Sequence, residues 1–146
     1  MVVQKQFAQA KVLDAPHQQV WDIISKATGL TDWLPVITSC RLEGEGENAK
    51  RYCETSDGKQ LKETIDRIDH ENFVFEYTIV EQNMMPISNY RGKYEVLKLE
   101  NGKTQITWSS TFEVEEANLP AVKQGLTGLY QMGFEGLESL AKRQVA

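Results

Sequence analysis

The stretch of sequence that decides the fold is the last one, Leu119–Arg143, which reads LPAVKQGLTGLYQMGFEGLESLAKR. At about 100° per residue, its apolar residues and one glycine fall on one side of a helix. These residues are Val122, Leu126, Leu129, Gly133, Leu137 and Leu140. No other part of the chain keeps a helical period over a comparable length, so we predict one long amphipathic helix here.

Three further glycines and a methionine follow one edge of that apolar side: Gly125, Gly128, Met132 and Gly136. A glycine inside a helix costs roughly 1 kcal/mol relative to alanine, so these glycines need a physical reason. One explanation is empty space, in which case Gly128 and Met132 would line a cavity. The alternative is close packing, in which the absent side chains allow the helix backbone to approach its neighbours.

The composition fits a single globular domain over residues 1–146, with 40% hydrophobic and 25% charged residues. The net charge of −5 argues against a nucleic-acid partner, which would require clustered Lys and Arg. The chain has no run of about 18 apolar residues, so we expect no membrane span. Residues 1–7 lack the apolar segment of a signal peptide, so we expect a cytoplasmic location.

The rest of the chain indicates strands and turns. Val2–Leu13 alternates as a strand, Pro16 is placed to start a short helix, and a second helical segment follows at Leu30–Leu34. Regular apolar alternation with turn signals then predicts six strands, at residues 36–42, 49–55, 61–68, 73–80, 89–99 and 104–112. We therefore predict an α+β fold in which a seven-stranded antiparallel sheet curls around the long C-terminal helix, with two short helices between strands 1 and 2.

Several short motifs occur in a characteristic order along this pattern: Asp14–Trp21 (DAPHQQVW), Trp33–Pro35, Lys50–Tyr52, Lys62–Glu63 and Ile106–Ser109. In this order and spacing the chain resembles the START-like (SRPBCC) superfamily, which has the helix-grip fold, and within it the polyketide cyclase/dehydrase-like group. The resemblance runs from the first strand to the seventh. It implies a single START-like domain over residues 1–146 with an internal cavity. Lachrymatory-factor synthases and, more distantly, abscisic-acid receptors are similar families.

Loop length predicts the strand register around one pair of charged residues. A three-residue loop at Ser56–Gly58 places Arg51 opposite Glu63, whereas a two-residue turn would shift the register by one. Only the three-residue loop puts the apolar residues of both strands on one face. We therefore predict that Arg51 and Glu63 both point toward the helix.

Aromatic residues are expected to surround that pair. In the fifth strand Phe73, Phe75, Tyr77 and Ile79 alternate with Val74, Glu76, Thr78 and Val80, so the aromatic set should face inward. A three-residue loop at Glu100–Gly102 would pair Tyr94 with Trp108. The predicted ligand-binding aromatic residues are thus Phe75, Tyr77, Tyr90, Tyr94 and Trp108.

Arg51 and Glu63 are the candidate catalytic residues. The fixed fork of arginine donors suits an oxyanion or carboxylate, and a carboxyl group in an apolar pocket suits proton transfer. The resemblance to lachrymatory-factor synthases implies a cavity arginine and glutamate at these two positions, with cavity tyrosines at Tyr77 and Tyr90. The other interpretation is a purely structural salt bridge.

The loop after the fifth strand is unusually apolar, since it contains Met84 and Met85. Flexible methionines fill irregular space. We predict either a lid over the mouth of the cavity, with both side chains contacting ligand, or a core position under the N-terminal helices.

Cysteine and histidine residues give no sign of a cofactor or metal site. Cys40 and Cys53 are too few for zinc, and we interpret them as reduced, although a hairpin could bring them together under oxidising conditions. His17 and His70 fall in a first helical turn and a loop, where solvent should surround them.

Two functions fit these residues. The first is binding of a small, largely hydrophobic molecule that carries an anionic or carbonyl group, held by Arg51 in the cavity. The alternative is an enzyme that uses Arg51 and Glu63 in the same cavity for cyclisation, dehydration or isomerisation. A subunit-interaction or chaperone role is a third option. The residue types alone do not separate a binding pocket from a catalytic one, and they predict neither the ligand nor the oligomeric state.

Overall fold

The computed structural model of the protein describes residues 1–145. The strands are β1 (Val2–Leu13), β2 (Ile37–Glu43), β3 (Lys50–Thr55), β4 (Gln60–Asp69), β5 (Val74–Gln82), β6 (Ile87–Lys98) and β7 (Thr104–Glu115). The α-helices are α1 (His17–Ser25) and α2 (Leu119–Val145). Single 3-10 turns occupy Leu30–Asp32, Glu100–Gly102 and Glu116–Asn118.

All neighbouring strands are antiparallel and form one sheet in the order β1-β7-β6-β5-β4-β3-β2. Buried side chains of the sheet and of α2 form one core, which confirms the predicted α+β helix-grip architecture. The second of the two predicted short helices is only the 3-10 turn Leu30–Asp32. Gly29, in a left-handed conformation, precedes it, and Pro35 follows, so no room is left for an α-helix.

The predicted strand register is confirmed. The Thr55 N–H donates to the Lys59 carbonyl at 2.9 Å across the loop of residues 56–58, and Arg51 lies opposite Glu63. Tyr94 likewise lies opposite Trp108. Hairpin loop length therefore fixes which side chains share the inner face.

The buried side of α2 is rotated relative to the prediction. Its buried side chains are Val122, Leu126, Tyr130, Phe134, Leu137 and Ala141, whereas Leu129 and Leu140 are half-buried. The aromatic rings of Tyr130 and Phe134 bury more apolar area than leucine does, and this favours the rotation.

Two of the helix glycines allow close packing. A Cβ atom on Gly136 would lie 1.8 Å from the carbonyl oxygen of Trp33, and one on Gly133 would lie 2.8 Å from the Trp108 ring. The backbone of α2 therefore rests directly on the segment that contains Trp33. For these two positions, close packing is the correct explanation.

The other glycines face outward. Gly128 is exposed, and a Cβ atom there would meet no atom within 4 Å. Met132 is 39% exposed. The prediction that Gly128 and Met132 line the cavity is wrong, because the rotation of α2 turns both toward solvent. Gly125 is also exposed, but a Cβ atom on it would lie 3.2 Å from Met85 Cε.

A disulfide joins the edge strand β2 to β3. Cys40 and Cys53 lie directly opposite each other, with Cα atoms 4.1 Å apart, and they are bonded. The prediction of reduced thiols is wrong, because the register brings the two residues face to face on the inner side. Such bridges form most readily in an oxidising compartment. The cytoplasmic location stays a prediction. Within residues 1–145, no helix is long and apolar enough to cross a membrane.

Both histidines have structural partners. His17 Nε2 lies 3.0 Å from the Val96 carbonyl, and its ring packs edge-on against Phe73. Trp21 Nε1 donates to His70 Nδ1 at 3.1 Å. The sequence predicted that solvent surrounds His17, but its ring is partly buried against Phe73. The contacts of the two histidines help to hold α1 against the sheet.

The turn between β4 and β5 is held by Asp69. Its carboxylate accepts hydrogen bonds from the Asn72 side chain at 2.9 Å and from the backbone N–H groups of Asn72 and Glu71, both at 3.0 Å. Arg67 Nη2 lies 2.7 Å from the same carboxylate. These bonds favour the charged form of the carboxylate and lower the pKa of Asp69 to about 2. The two hydrogen bonds from Asn72 contribute most to this shift.

Acid should remove this contribution to stability. Because the pKa is lowered from 3.8 to about 2, ionised Asp69 stabilises the fold above pH 3.8, and the effect is lost as the pH falls toward 2. At neutral pH we expect Asp69→Asn to unfold at a lower urea concentration than the wild type. The difference between the two urea midpoints should become smaller as the pH falls from 3.8 to about 2. Urea midpoints measured over a pH series check this, and a difference that stays constant would contradict it.

Candidate functional site

A pocket lies between the inner face of the sheet, the 3-10 turn at Leu30–Asp32 and α2. Most of its wall is apolar and includes Leu30, Leu34, Ile79, Ile87, Leu126 and Leu129. Its cavity volume, counted as the space open to the centre of a water molecule, is about 60 Å³. All the empty space between its walls amounts to about 650 Å³, but this larger figure includes open solvent. The smaller volume limits a bound molecule. It holds a few waters at roughly 10–15 Å³ each, so a larger ligand requires side-chain movement.

Two hollows on the outer face of the sheet are larger, about 580 Å³ and 560 Å³. Exposed charged side chains line them, including Arg41, Glu54 and Arg91. Buried polar groups, by contrast, are concentrated around the inner pocket. The inner pocket is therefore the candidate site.

An ion pair lies at the polar end of this pocket. Arg51 Nε donates to Glu63 Oε1 at 2.6 Å, and Arg51 Nη1 donates to the Ala27 carbonyl at 2.9 Å. The side chains of Arg51 and Glu63 are only 4% and 7% exposed. Burial opposes the charged guanidinium, but Glu63 together with the nearby Tyr94 and Tyr77 outweighs it, and the pKa of Arg51 is raised above its ordinary value.

A bulge in the sheet lies beside Glu63. In the pairing of β4 with β5, Lys62 is opposite Glu81 and Glu63 is opposite Ile79, so Val80 is an extra residue. Bulges bend a strand and redirect neighbouring side chains. Glu63 faces inward by the regular alternation of β4, and the extra residue in β5 turns Gln82 toward the pocket together with Ile79.

Three polar atoms at this end of the pocket have no hydrogen-bond partner in the described part of the chain: Arg51 Nη2, Glu63 Oε2 and the Tyr94 hydroxyl. No fully enclosed side-chain nitrogen or oxygen in that part lacks a partner. Since all three residues line the pocket, their free atoms face its open space. These are the groups that a bound molecule would meet.

A chain of hydrogen bonds runs beside the ion pair. Trp108 Nε1 donates to the Tyr77 hydroxyl at 3.1 Å, and the Tyr77 and Tyr90 hydroxyls are 3.3 Å apart. The Tyr90 and Tyr130 hydroxyls are 2.7 Å apart, and Tyr130 donates to Ser110 Oγ at 2.8 Å. Because Tyr130 uses its proton on Ser110, Tyr90 donates to Tyr130, and the bonds all run in one direction.

The tyrosines of this cluster are neutral. Burial disfavours their charged form and raises the pKa of each well above its ordinary value. The residues concerned are Tyr77, Tyr90, Tyr94 and Tyr130. They can donate and accept hydrogen bonds, but they cannot act as phenolate bases near neutral pH.

A second bulge places Tyr90 in the cluster. Ile87 and Tyr90 both face the core, although residues three apart in a regular strand point to opposite faces. The pairing of β6 with β7 shifts between Ser88 and Arg91, and Asn89 has a φ of 51°. Asparagine tolerates this left-handed conformation better than most residues do.

Gly92 makes room for Tyr77. The two residues are paired across β5 and β6, and a Cβ atom on Gly92 would lie 2.2 Å from Tyr77 Cζ and 2.4 Å from its hydroxyl oxygen. The Tyr77 ring thus lies flat over the strand, and this position lets its hydroxyl reach Trp108 Nε1. Gly92 is needed for close approach, not for an unusual backbone angle.

We expect Gly92→Ala to displace the Tyr77 ring and break its hydrogen bonds to Trp108 and Tyr90, at a cost of about 1–3 kcal/mol in unfolding free energy. Urea unfolding measures that cost, and near-ultraviolet circular dichroism reports the aromatic packing. In a Tyr77→Leu background the same alanine should cost much less, because the clashing atoms are absent. Equal costs in both backgrounds would contradict this explanation.

The loop between β5 and β6 covers one side of the pocket with Met84 and Met85. The side chain of Gln82 holds this loop through four hydrogen bonds: its oxygen accepts from the backbone N–H groups of Met84 and Met85, and its amide donates to the carbonyls of Met85 and Ile87. Asn83 Oδ1 accepts from the Gln60 N–H at 2.9 Å. These hydrogen bonds therefore fix the loop backbone, and Met85 Cε packs against Gly125.

The structure brings together most of the residues that the sequence singled out. Eight of them line the pocket, namely Arg51, Glu63, Tyr77, Met84, Met85, Tyr90, Tyr94 and Trp108. Phe75 is buried behind the ion pair, with the Arg51 guanidinium carbon 6.0 Å from its ring centre, and it does not reach the pocket. Contact of any of these residues with a ligand stays a prediction.

The sequence interpretation missed three residues of the site. Tyr130 stacks on Trp108 with ring centres 3.9 Å apart, Ser110 ends the hydrogen-bond chain, and Gln82 holds the loop. A signal for Tyr130 existed, since it lies four residues after Leu126 on the helix. Ser110 and Gln82 have no comparable pattern around them.

Comparison with known proteins gives a family and a fold. The model of the family described as polyketide cyclase/dehydrase and lipid transport matches residues 4–142. No curated protein sequence matches the chain. The protein XoxI from Bacillus cereus has a TM-score of 0.84 at 22% identity, over 97% of this chain and 98% of its own.

Norcoclaurine synthase from Thalictrum flavum is also similar in structure. A point mutant in complex with a transition state analogue has a TM-score of 0.81 at 18% identity, over 100% of this chain and 99% of its own. An uncharacterised protein from Bacillus thuringiensis has a TM-score of 0.82 at 24% identity, over 92% and 97%. Likeness at these identities establishes the fold and not the activity.

Proposed function

Because the chain belongs to the polyketide cyclase/dehydrase and lipid transport family, we propose that it binds a small, largely hydrophobic molecule in the pocket between the sheet and α2. The observation that supports this most is the contrast between the walls and one end of the pocket. The walls are apolar, whereas Arg51, Glu63 and Tyr94 present free polar atoms at one end. Pockets with apolar walls and a few convergent polar groups are typical ligand sites.

The ligand would enter past Met84 and Met85. Their side chains close the pocket toward α2, where Met85 Cε packs into the place that a side chain on Gly125 would take. Methionine side chains change rotamer at low cost, so the pocket can enlarge while Gln82 keeps the loop backbone in place. A pocket that enlarges in this way can have a cavity volume of only about 60 Å³ when empty and still bind a larger molecule.

Native mass spectrometry of the purified protein tests the proposal. We expect a retained small molecule, and we expect Leu129→Phe to lose it because Leu129 lines the pocket. Leu97→Phe is the matched control, since Leu97 is 57% exposed on the outer face of β6. Equal retention by wild type, Leu129→Phe and Leu97→Phe would show that the molecule binds elsewhere.

A second candidate function is an enzyme of the cyclisation, dehydration or isomerisation type. The observation that favours it is the position of Glu63 Oε2, which faces the pocket while Oε1 is fixed by Arg51. Glu63 would move the proton, Arg51 would orient a polar group of the substrate, and the neutral tyrosines would position it. With the retained molecule or its precursor as substrate, Glu63→Gln should abolish turnover even at substrate concentrations that saturate the variant. Unchanged turnover would exclude this role.

A further inference from the structure

We propose that the pocket selects neutral molecules whose polar end both donates and accepts hydrogen bonds, such as amides, hydroxyketones or enols, and excludes carboxylates. This inference rests on the proposed binding function and narrows its ligand class. It changes the expectation from sequence that Arg51 would receive an anion.

The side chains that line the pocket carry no net charge. Arg51 and Glu63 are the charged residues among those that line the pocket in the described part of the chain, and they neutralise each other at 2.6 Å. A carboxylate entering next to them would add a buried negative charge without a cation to balance it. Burying an unbalanced charge is strongly unfavourable, whereas a neutral polar group that makes hydrogen bonds is tolerated.

The polar end of the pocket offers both hydrogen-bond donors and an acceptor. The free atoms at the polar end are donors on Arg51 Nη2 and the Tyr94 hydroxyl, and an acceptor on Glu63 Oε2. A ligand that only accepts would keep water away from Glu63 Oε2 and leave this oxygen unpaired. A ligand that accepts from Arg51 or Tyr94 and donates to Glu63 satisfies both sides, and buried polar groups are rarely left unsatisfied. The neutral state of Tyr94 keeps its hydroxyl available as a donor.

The test compares compounds of equal shape and different charge. Para-alkylbenzamides and para-alkylbenzoates with methyl, ethyl and propyl tails form such pairs, because an amide and a carboxylate are nearly isosteric. Binding is followed by isothermal titration calorimetry at neutral pH and by tryptophan fluorescence, to which Trp108 in the pocket wall contributes together with Trp21 and Trp33. For the wild type we expect each amide to bind at least about tenfold more tightly than its benzoate.

Variants show whether Glu63 sets this preference. In Glu63→Gln the charge of Arg51 has no partner, and the carboxylate of a benzoate can pair with it. Each benzoate should then bind about tenfold more tightly than its amide. Glu54→Gln is the matched control, because Glu54 is exposed on the other face of β3 and its loss changes the net charge equally. It should keep the wild-type preference.

The outcomes separate the two proposals. Benzoates that bind the wild type as tightly as amides would overturn the charge selection and leave the binding function standing. Absence of binding by both series, together with an empty pocket in native mass spectrometry, would overturn both. If Glu63→Gln fails to fold, the wild-type ratio of the two affinities still decides.

Discussion

Gly136→Ala is expected to destabilise the protein by about 3 kcal/mol or more, at the upper end of the range for overpacked sites. The added Cβ atom would lie 1.8 Å from the Trp33 carbonyl oxygen, 2.7 Å from its carbonyl carbon and 3.0 Å from its Cα atom. All three are backbone atoms, so no side-chain rotation relieves the clash. Either α2 or the segment after the 3-10 turn must move.

Movement there would spread to the candidate site. The Trp33 ring packs edge-on against Tyr94 and Trp108, with ring centres 6.1 Å and 6.3 Å away, and both of those residues line the pocket. We therefore expect Gly136→Ala to change the near-ultraviolet circular dichroism as well as the urea midpoint. The gain in helix propensity, roughly 1 kcal/mol, is too small to offset the clash.

Gly128→Ala is the matched control for this prediction. It is the same substitution in the same helix, but Gly128 is exposed and no atom lies within 4 Å of the added carbon. It should be neutral or stabilise the fold by up to about 1 kcal/mol. Similar midpoints for Gly128→Ala and Gly136→Ala would mean that α2 does not rest on the Trp33 backbone.

These two glycines show why the helix could be predicted but not its orientation. Hydrophobic periodicity identified α2, and loop length gave the register that pairs Arg51 with Glu63. Periodicity did not predict which side of α2 is buried, because Leu129 and Leu140 compete with Tyr130 and Phe134 for that side. Packing against Trp33 and Trp108 decides between them, and that contact is between residues far apart in sequence.

The disulfide and the bulges escaped prediction for a related reason. The loop between β2 and β3 contains three residues with positive φ, Gly44, Gly46 and Asn48, so its length does not specify one hairpin type. The pairing of Cys40 with Cys53 could not be derived from it. The bulge at Asn89, which turns Tyr90 inward, depends on the fit of β6 to both neighbouring strands and not on local sequence.

Removing one member of the buried ion pair is expected to have an effect as large as that of Gly136→Ala. Arg51→Met should cost about 3–5 kcal/mol in unfolding free energy, because it leaves Glu63 buried without a partner. It also removes the donor to the Ala27 carbonyl. Glu63→Leu should cost a similar amount by leaving the Arg51 charge unpaired. Urea unfolding of both variants measures these losses.

The double variant gives the decisive comparison. Replacing both charges with apolar side chains of similar size removes the desolvation penalty together with the attraction, so Arg51→Met/Glu63→Leu should be more stable than either single variant. A remaining loss of about 1–3 kcal/mol is expected, because the Ala27 carbonyl still lacks its donor. Arg41→Met serves as the control, since the Arg41–Glu43 pair is exposed and its loss should change stability little. Additive losses in the double variant would mean that Arg51 and Glu63 do not depend on each other, and would also remove the basis for a neutral pocket.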